Sequence, residues 1–188
     1  LTGGLRYSYE KRKFSGESII YVTAAPSVRG GLFPRGFDHI ALRKSWDNIS
    51  SRVVLDYKPS KDQLLYLSYA SGFRSGNFNS AAYSSLTAIS RPVDPEYVDS
   101  FEFGAKTQWL NRKLTLNLAA FYMKYKDLQV AVFRDATQIL SNAASSDIKG
   151  VELELAATPI HGFTIRASGA YLDARYKKFI YRASPLID

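Results

Sequence analysis

Cysteine is absent from these 188 residues, which excludes a disulfide framework, a thiolate zinc site and a cysteine nucleophile. Histidine is nearly absent, and His39 and His161 are too few for most imidazole metal sites. Long apolar runs are missing too: the longest, residues 118–123, has six residues, whereas a spanning helix needs about 20. No G-x-S-x-G elbow, phosphate-cradling glycine loop or H-E-x-x-H pair occurs, so no catalytic residue is assigned and the chain reads as a non-enzyme. Residues 1–10 hold no initiator methionine, basic n-region or apolar h-region, and the chain is expected to be an internal piece of a longer protein. What is present is dispersed. Hydrophobic residues make up 46% and aromatics 14% without forming a block, as period-2 alternation would produce.

Alternation is explicit along residues 113–130, where Leu114, Leu116, Leu118, Ala120 and Tyr122 alternate with Thr115, Asn117, Ala119, Phe121 and Met123. A helix would spread the three leucines over more than half its circumference, while a strand puts them on one side. Residues 148–158 send Val151, Leu153, Leu155 and Ala157 to one face and Gly150, Glu152, Glu154 and Ala156 to the other. Residues 100–109 set Phe101, Phe103, Ala105 and Trp109 against Glu102, Gly104, Lys106 and Gln108. Residues 163–174 set Phe163, Ile165, Ala167 and Tyr171 against Thr164, Arg166 and Ser168. Residues 2–10, 52–59 and 63–73 follow the same rule more weakly. No helical period appears, so an all-β chain of about seven strands is expected.

The connections alternate in length. Residues 59–62, Asn111-Arg112 and residues 159–162 read as tight turns. A two-residue loop at Asn111-Arg112 predicts Trp109 opposite Leu114 and Gln108 opposite Thr115. A three-residue loop at 160–162, with Gly162 left-handed, predicts Thr158 opposite Thr164 and Ala156 opposite Arg166. The other connections, residues 11–45, 75–95 and 134–141, are expected to be long loops. Short turns at one end and long loops at the other is the layout of an outer-membrane barrel. A soluble sandwich also alternates, but residues 113–130 could reach roughly 60 Å at ~3.3 Å per residue, far beyond a usual strand of about 5 to 6 residues. Aromatics near strand ends, at Tyr57, Trp109, Tyr122, Phe163 and Tyr171, match the girdles of membrane barrels. The alternative reading is a soluble all-β ligand- or carbohydrate-binding module using Tyr83, Tyr97 and Trp109.

Residues 65–78, with YLSYASGFRSGNF at their centre, resemble the segment of TonB-dependent outer-membrane receptors in which a strand ends in a Gly-Phe-basic-Ser-Gly motif. Residues 95–106, PEYVDSFEFGAK, are similar to the "PE, then S, E, G and K" signature of the next strand in that family. Residues 112–117 and 121–129, Asn142-Ala143, GVELE at 150–154 and PIHGFT at 159–164 continue the pattern in order. The resemblance implies an antiparallel 22-stranded transmembrane barrel closed by a plug. It implies TonB-dependent uptake of a scarce solute such as a ferric siderophore, another metal chelate, a vitamin or an oligosaccharide. Residues 1–188 would then be a partial barrel domain in the bacterial outer membrane, with the plug and TonB box outside this chain.

On that reading Glu102, Lys106, Asn117, Glu152, Glu154 and Arg166 face the lumen, and Phe103, Leu114, Leu116, Leu118, Leu153 and Leu155 face lipid. Glu152 and Glu154 are spaced like an acid/base pair, but a hydrated barrel wall is polar by default. Extracellular ligand contacts are expected from Arg35, Phe37, His39, Arg74, Asn77, Phe78, Asn79, Tyr83 and Arg91. Residues 11–45 carry seven basic side chains against Glu17 and Asp38, a charge suited to an anionic solute or to lipopolysaccharide phosphates. Expected partners are outer-membrane lipid and lipopolysaccharide, the TonB complex through the plug, and the solute. No cofactor, metal site or nucleic-acid partner is called for.

Overall fold

The computed structural model describes residues 1–23, 32–79, 91–134 and 137–179. They form one antiparallel sheet in which each strand pairs with its sequence neighbour. The strands are β1 (Thr2–Thr23), β2 (Leu32–Ser60), β3 (Gln63–Arg74), β4 (Glu96–Trp109), β5 (Leu114–Arg134), β6 (Thr137–Ile160) and β7 (Phe163–Phe179). A sandwich needs a second sheet on the apolar face, and among the described residues there is none.

The short turns lie at one end of the sheet. Trp109 pairs with Leu114 and Gln108 with Thr115, as the turn chemistry predicts. Leu110, Asn111 and Arg112 take φ of 55°, 54° and 66°, and the Lys113 N–H closes the turn on the Leu110 carbonyl at 3.2 Å. Left-handed φ at the two central residues is the primed geometry that follows the twist of the flanking strands. Gly162 has φ +79°, and Ala156 pairs with Arg166. The hydroxyls of Thr158 and Thr164 lie 3.1 Å apart. A register shift between Ala157 and Ile160 is the bulge expected when a left-handed glycine closes a hairpin.

Two expected loops are corrected. Residues 11–45 are largely strand: β1 continues to Thr23 and β2 begins at Leu32, with Lys11 opposite Ser45, Arg12 opposite Lys44 and Lys13 opposite Arg43. Residues 134–141 are mostly β5 and β6, which stay paired to Arg134 and Thr137. In both hairpins polar and apolar residues fall at odd and even positions alike, so no hydrophobic alternation marks the strands, while their ladder bonds persist. The connection at 75–95 is a loop in its described parts, with one bridge between Asn77 and Val93.

Paired residues share a face. The row Lys106, Asn117, Glu154, Ser168 belongs to the polar side, and Phe103, Ala120, Val151, Tyr171 to the apolar side. The apolar side is uncovered: Leu55, Phe103, Leu153 and Tyr171 are all exposed. The buried apolar residues Trp46, Phe78, Val93, Ala143 and Ala144 gather at the loop end of the polar side.

Candidate functional site

Arg74 ends β3, and the chain then folds inward across the polar face. The Ser75 hydroxyl donates to Glu10 Oε2 at 2.5 Å and accepts from Arg12 Nη2 at 2.8 Å, which anchors the segment to β1. Phe78 packs against Trp46, centroids 6.1 Å apart, and Phe14, 6.3 Å apart. Gln129 on β5 donates from Nε2 to the carbonyls of Ser75 at 2.9 Å and Asp94 at 3.0 Å, while its own N–H donates to Glu96 Oε2 at 2.8 Å. Asn79 makes two reciprocal bonds with the Leu140 backbone of β6, at 3.0 and 2.6 Å. Asn142 accepts from the Asp94 N–H at 2.8 Å and donates to the carbonyls of Asp94 and Asp127, at 2.8 and 2.7 Å. Asp127 has φ 53° at a register shift between Tyr125 and Leu128, a bulge that bends the strand locally.

The contacts of this polar knot require a curved sheet. Residues 75–79 touch β1, β2, β5 and β6, and in a flat sheet β1 and β6 would stand roughly 24 Å apart at ~4.8 Å per strand. The polar face is therefore concave. Gly76 lets the loop descend: a Cβ there would meet the Val93 carbonyl oxygen at 2.2 Å and the Trp46 ring at 2.4 Å. At this level, beyond the apolar band, the Ser75 hydroxyl and then the Arg12 guanidinium hold the Glu10 carboxyl below its usual range.

Lower on the concave face, Tyr66 donates to Glu102 at 2.7 Å, and Lys106 lies 5.9 Å from the Tyr66 ring centroid. Asn117 donates to Glu154 at 3.2 Å. Glu154 and Arg166 line one open cavity of about 310 Å³ with Thr115, Asn117 and Ser168. All six residues expected to face a lumen lie on this side by register, and all six expected to face lipid lie on the other. Among the described residues no group of three His, Asp or Glu side chains is spaced to hold a metal ion.

The expected ligand set is divided. Phe78 and Asn79 are 6% and 7% exposed, so their side chains hold the loop together. The Asn77 backbone pairs with Val93 through two hydrogen bonds. Arg74 and Arg91 are exposed, Arg74 lying 3.6 Å from Glu96. Arg35, Phe37 and His39 lie on β2, with side chains outside the described ones, and Tyr83 is outside the described residues altogether. Of the alternative carbohydrate platform, Tyr97 and Trp109 stand near opposite ends of β4, roughly 40 Å apart at ~3.3 Å per residue. They do not form one surface. Trp46, Gln129 and Glu10 were invisible to pattern reading, since each acts through partners remote in sequence.

The convex face ends in charge. From the turn end, β7 presents Ile165, Ala167, Gly169 and Tyr171 and then Asp173, while β5 presents Leu114 through Tyr122 and then Lys124. The register row through Asp173 passes Lys149, Tyr122, Phe101 and Tyr69 to Val53, yet the first charge on β2 is Asp47, six residues farther from the turns. Six residues rise roughly 20 Å across five strand spacings of about 24 Å. The apolar boundary is thus inclined to the rows by about 40°, the strand tilt of a membrane barrel.

Comparison with known proteins follows the same line. The family model for "TonB dependent receptor-like, beta-barrel" matches residues 1–186. The probable TonB-dependent siderophore receptor PiuA of Acinetobacter baumannii is 27% identical over 135 residues, covering 70% of this chain and 18% of that protein. The pesticin receptor of Yersinia enterocolitica is 26% identical over 152 residues, 81% of this chain and 20% of that protein. Among solved structures, the ferric yersiniabactin uptake receptor FyuA from Yersinia pestis superposes with a TM-score of 0.73 at 23% identity, covering 95% of this chain and 25% of that one. The copper transporter OprC gives a TM-score of 0.63 at 15% identity, covering 93% and 26%. The chain spans about a fifth of the length of the curated relatives it matches.

Proposed function

This chain belongs to the TonB-dependent receptor β-barrel family of the bacterial outer membrane, and from that premise we propose that residues 1–188 are part of the barrel wall of a receptor importing a ferric siderophore. The whole barrel has 22 strands and holds a plug that couples it to the TonB complex. The observation that carries this reading is the apolar convex band, bounded by charge along a line inclined at about 40° to the hydrogen-bonded rows. The concave face, with Glu102, Lys106, Asn117, Glu152, Glu154 and Arg166, lines the lumen as a hydrated, non-catalytic wall, and Leu118 and its row face lipid. Lipid and lipopolysaccharide surround the convex face, and nucleic acid has no part.

The short turns are periplasmic and the knot is extracellular. The solute is a metal chelate, since several relatives are named for ferric chelates, and its ligands are drawn from Arg35, Phe37, His39, Arg74, Asn77, Tyr83 and Arg91. Changing Arg35, Arg74 and Arg91 together to glutamine in the full-length receptor should slow capture of an anionic ferric chelate several-fold at low salt. The difference should shrink at high salt, because steering by exposed charge is screened over a Debye length of about 10 Å at 0.1 M. An unchanged association rate at low salt would remove these arginines from the site.

The barrel reading also predicts how the isolated chain behaves. Expressed alone without detergent it should aggregate, because β1 and β7 leave open edges and the convex face is uncovered. A sharp monomer peak by size exclusion in plain buffer would favour the soluble binding module instead.

A further inference from the structure

The inward face of the β1–β2 hairpin carries rings and cations in three successive rows: Glu10 opposite Trp46, Arg12 opposite Lys44 and Phe14 opposite Leu42. The β3–β4 connection fills this surface with three groups of its own. The Phe78 ring packs on Trp46 and Phe14, the Ser75 hydroxyl accepts from Arg12 Nη2 at 2.8 Å, and Asp94 Oδ1 accepts from Lys44 Nζ at 3.2 Å. The three are tied together, because Asn77 and Val93 exchange two backbone hydrogen bonds and Gln129 holds the carbonyls of both Ser75 and Asp94. One group of the hairpin is left unanswered. Trp46 is 6% exposed, yet its buried Nε1 has no hydrogen-bond partner among the described residues. The ring edge beside that nitrogen, Cε2 and Cζ2, faces the connection at Gly76. A buried donor without an acceptor keeps its full desolvation cost, so the connection matches ring to ring and oxygen to cation but fails the indole.

We infer that Ser75, Phe78 and Asp94 occupy a binding site in place of its ligand, and that the ligand is an aromatic anion with an oxygen beside its ring, the chemistry of a hydroxybenzoate or of a chelate built from one. Its ring replaces Phe78 on Trp46 and Phe14. Its anionic oxygens replace Ser75 and Asp94 on Arg12 and Lys44, and a further oxygen accepts the Trp46 N–H. Lys44 Nζ, 5.4 Å from the Trp46 ring centroid, brings its charge to the same place as the rings. The chain's own groups compete with the ligand, so the apparent affinity is the intrinsic one reduced by the fraction of molecules in which they have lifted. The inference rests on the receptor reading and adds to it a class of solute and a segment that holds the solute out. Phe78 is then a competitor of the solute rather than its contact.

The test uses the full-length receptor and two anionic probes carrying the same metal, the ferric complex of 2,3-dihydroxybenzoate and ferric citrate, which has no ring. Binding is read by isothermal titration, and the position of the connection by hydrogen exchange at Asn77 and Val93. The aromatic complex should bind and should speed exchange at both amides, because it displaces the pairing between them; a ligand resting on the closed knot would slow it. Gly76→Ala and Phe78→Ala should each bind the aromatic complex at least about tenfold more tightly, in step with the larger open fraction, and should bind ferric citrate as the wild type does. The second variant carries the test if the first fails to assemble. Trp46→Phe keeps a ring and removes the N–H, so it should bind the aromatic complex about tenfold more weakly. Slowed or unchanged exchange on binding would overturn the site, and so would wild-type affinity in both opening variants. An equal gain for ferric citrate would overturn the aromatic class, and unchanged affinity of Trp46→Phe would overturn the indole contact. Capture of ferric citrate that depends on Arg35, Arg74 and Arg91, with no binding of the aromatic complex by any variant, defeats this inference alone. Cells that gain no iron from any ferric chelate through the wild-type receptor defeat the reading beneath it.

Discussion

Leu118→Arg in the full-length receptor should abolish or severely reduce barrel assembly, while Asn117→Arg, one residue away, should assemble nearly as the wild type does. Leu118 lies four residues from Leu114 and four from Tyr122 on β5, the middle of the apolar band on that strand. Its register neighbours are Ala105 and Leu153, so an arginine there meets hydrocarbon and no acid. At mid-membrane depth that costs about 2 to 4 kcal/mol, a large part of a marginal stability. Asn117 faces the other way and already donates to Glu154 at 3.2 Å. An arginine at 117 would gain Glu154 and face Lys106, its register partner, and exposed charge pairs of either kind are worth about 1 kcal/mol or less. Heat-modifiable migration in gels and denaturant unfolding in liposomes measure the difference. Equal loss at both positions would mean that the two faces do not meet different media.

The contrast between neighbours explains how much of the fold was legible beforehand. Where one face meets hydrocarbon and the other water, alternation is imposed on every strand, and Leu114, Leu116 and Leu118 disclose both the strand and its orientation. Turn chemistry was equally readable at residues 160–162, where Gly162 takes the left-handed φ that closes the hairpin, whereas Leu110, Asn111 and Arg112 adopt left-handed φ without glycine. The signal fades beyond the band. Residues 11–23 and 32–45 are strand with polar and apolar residues mixed at odd and even positions alike, so no alternation marks them while backbone pairing continues. A charge count over 11–45 also merged residues of opposite facing. Arg12 points inward to Ser75, whereas Lys13 and Arg43 stand outward, and only the register separates them.

The knot was the least legible part. Phe78 and Asn79 have the composition of a ligand contact, an aromatic ring beside amides, and that same chemistry serves to bury a loop across the mouth of a concave sheet. In this chain both side chains already have partners, in Trp46, Phe14 and the Leu140 backbone. These contacts join residues up to 65 positions apart, such as Glu10 and Ser75, a separation at which no local pattern operates.

Gly76→Ala should unlatch this knot and leave the barrel standing. The added methyl would sit 2.2 Å from the Val93 carbonyl oxygen and 2.4 and 2.5 Å from two atoms of the Trp46 ring. Neither neighbour can yield freely. The Val93 carbonyl accepts the Asn77 N–H at 3.1 Å, and Trp46 is 6% exposed and held against Phe78. Overpacking of this kind costs about 1 to 3 kcal/mol, and the cost falls on the loop, because the ladders of β4 and β5 do not pass through Gly76. Hydrogen exchange at Asn77, Val93 and Leu140 should therefore accelerate by about ten- to a hundredfold, at 1.4 kcal/mol per factor of ten, while amides in residues 98–107 keep wild-type protection. Gly169→Ala is the control, since a Cβ there meets nothing within 4 Å. If the two variants exchange alike, the close approach at Gly76 does not hold the loop. If Gly76→Ala instead speeds exchange throughout β4 and β5, the knot is a structural element of the wall itself, and the mouth of the barrel cannot open without loosening the strands that carry it.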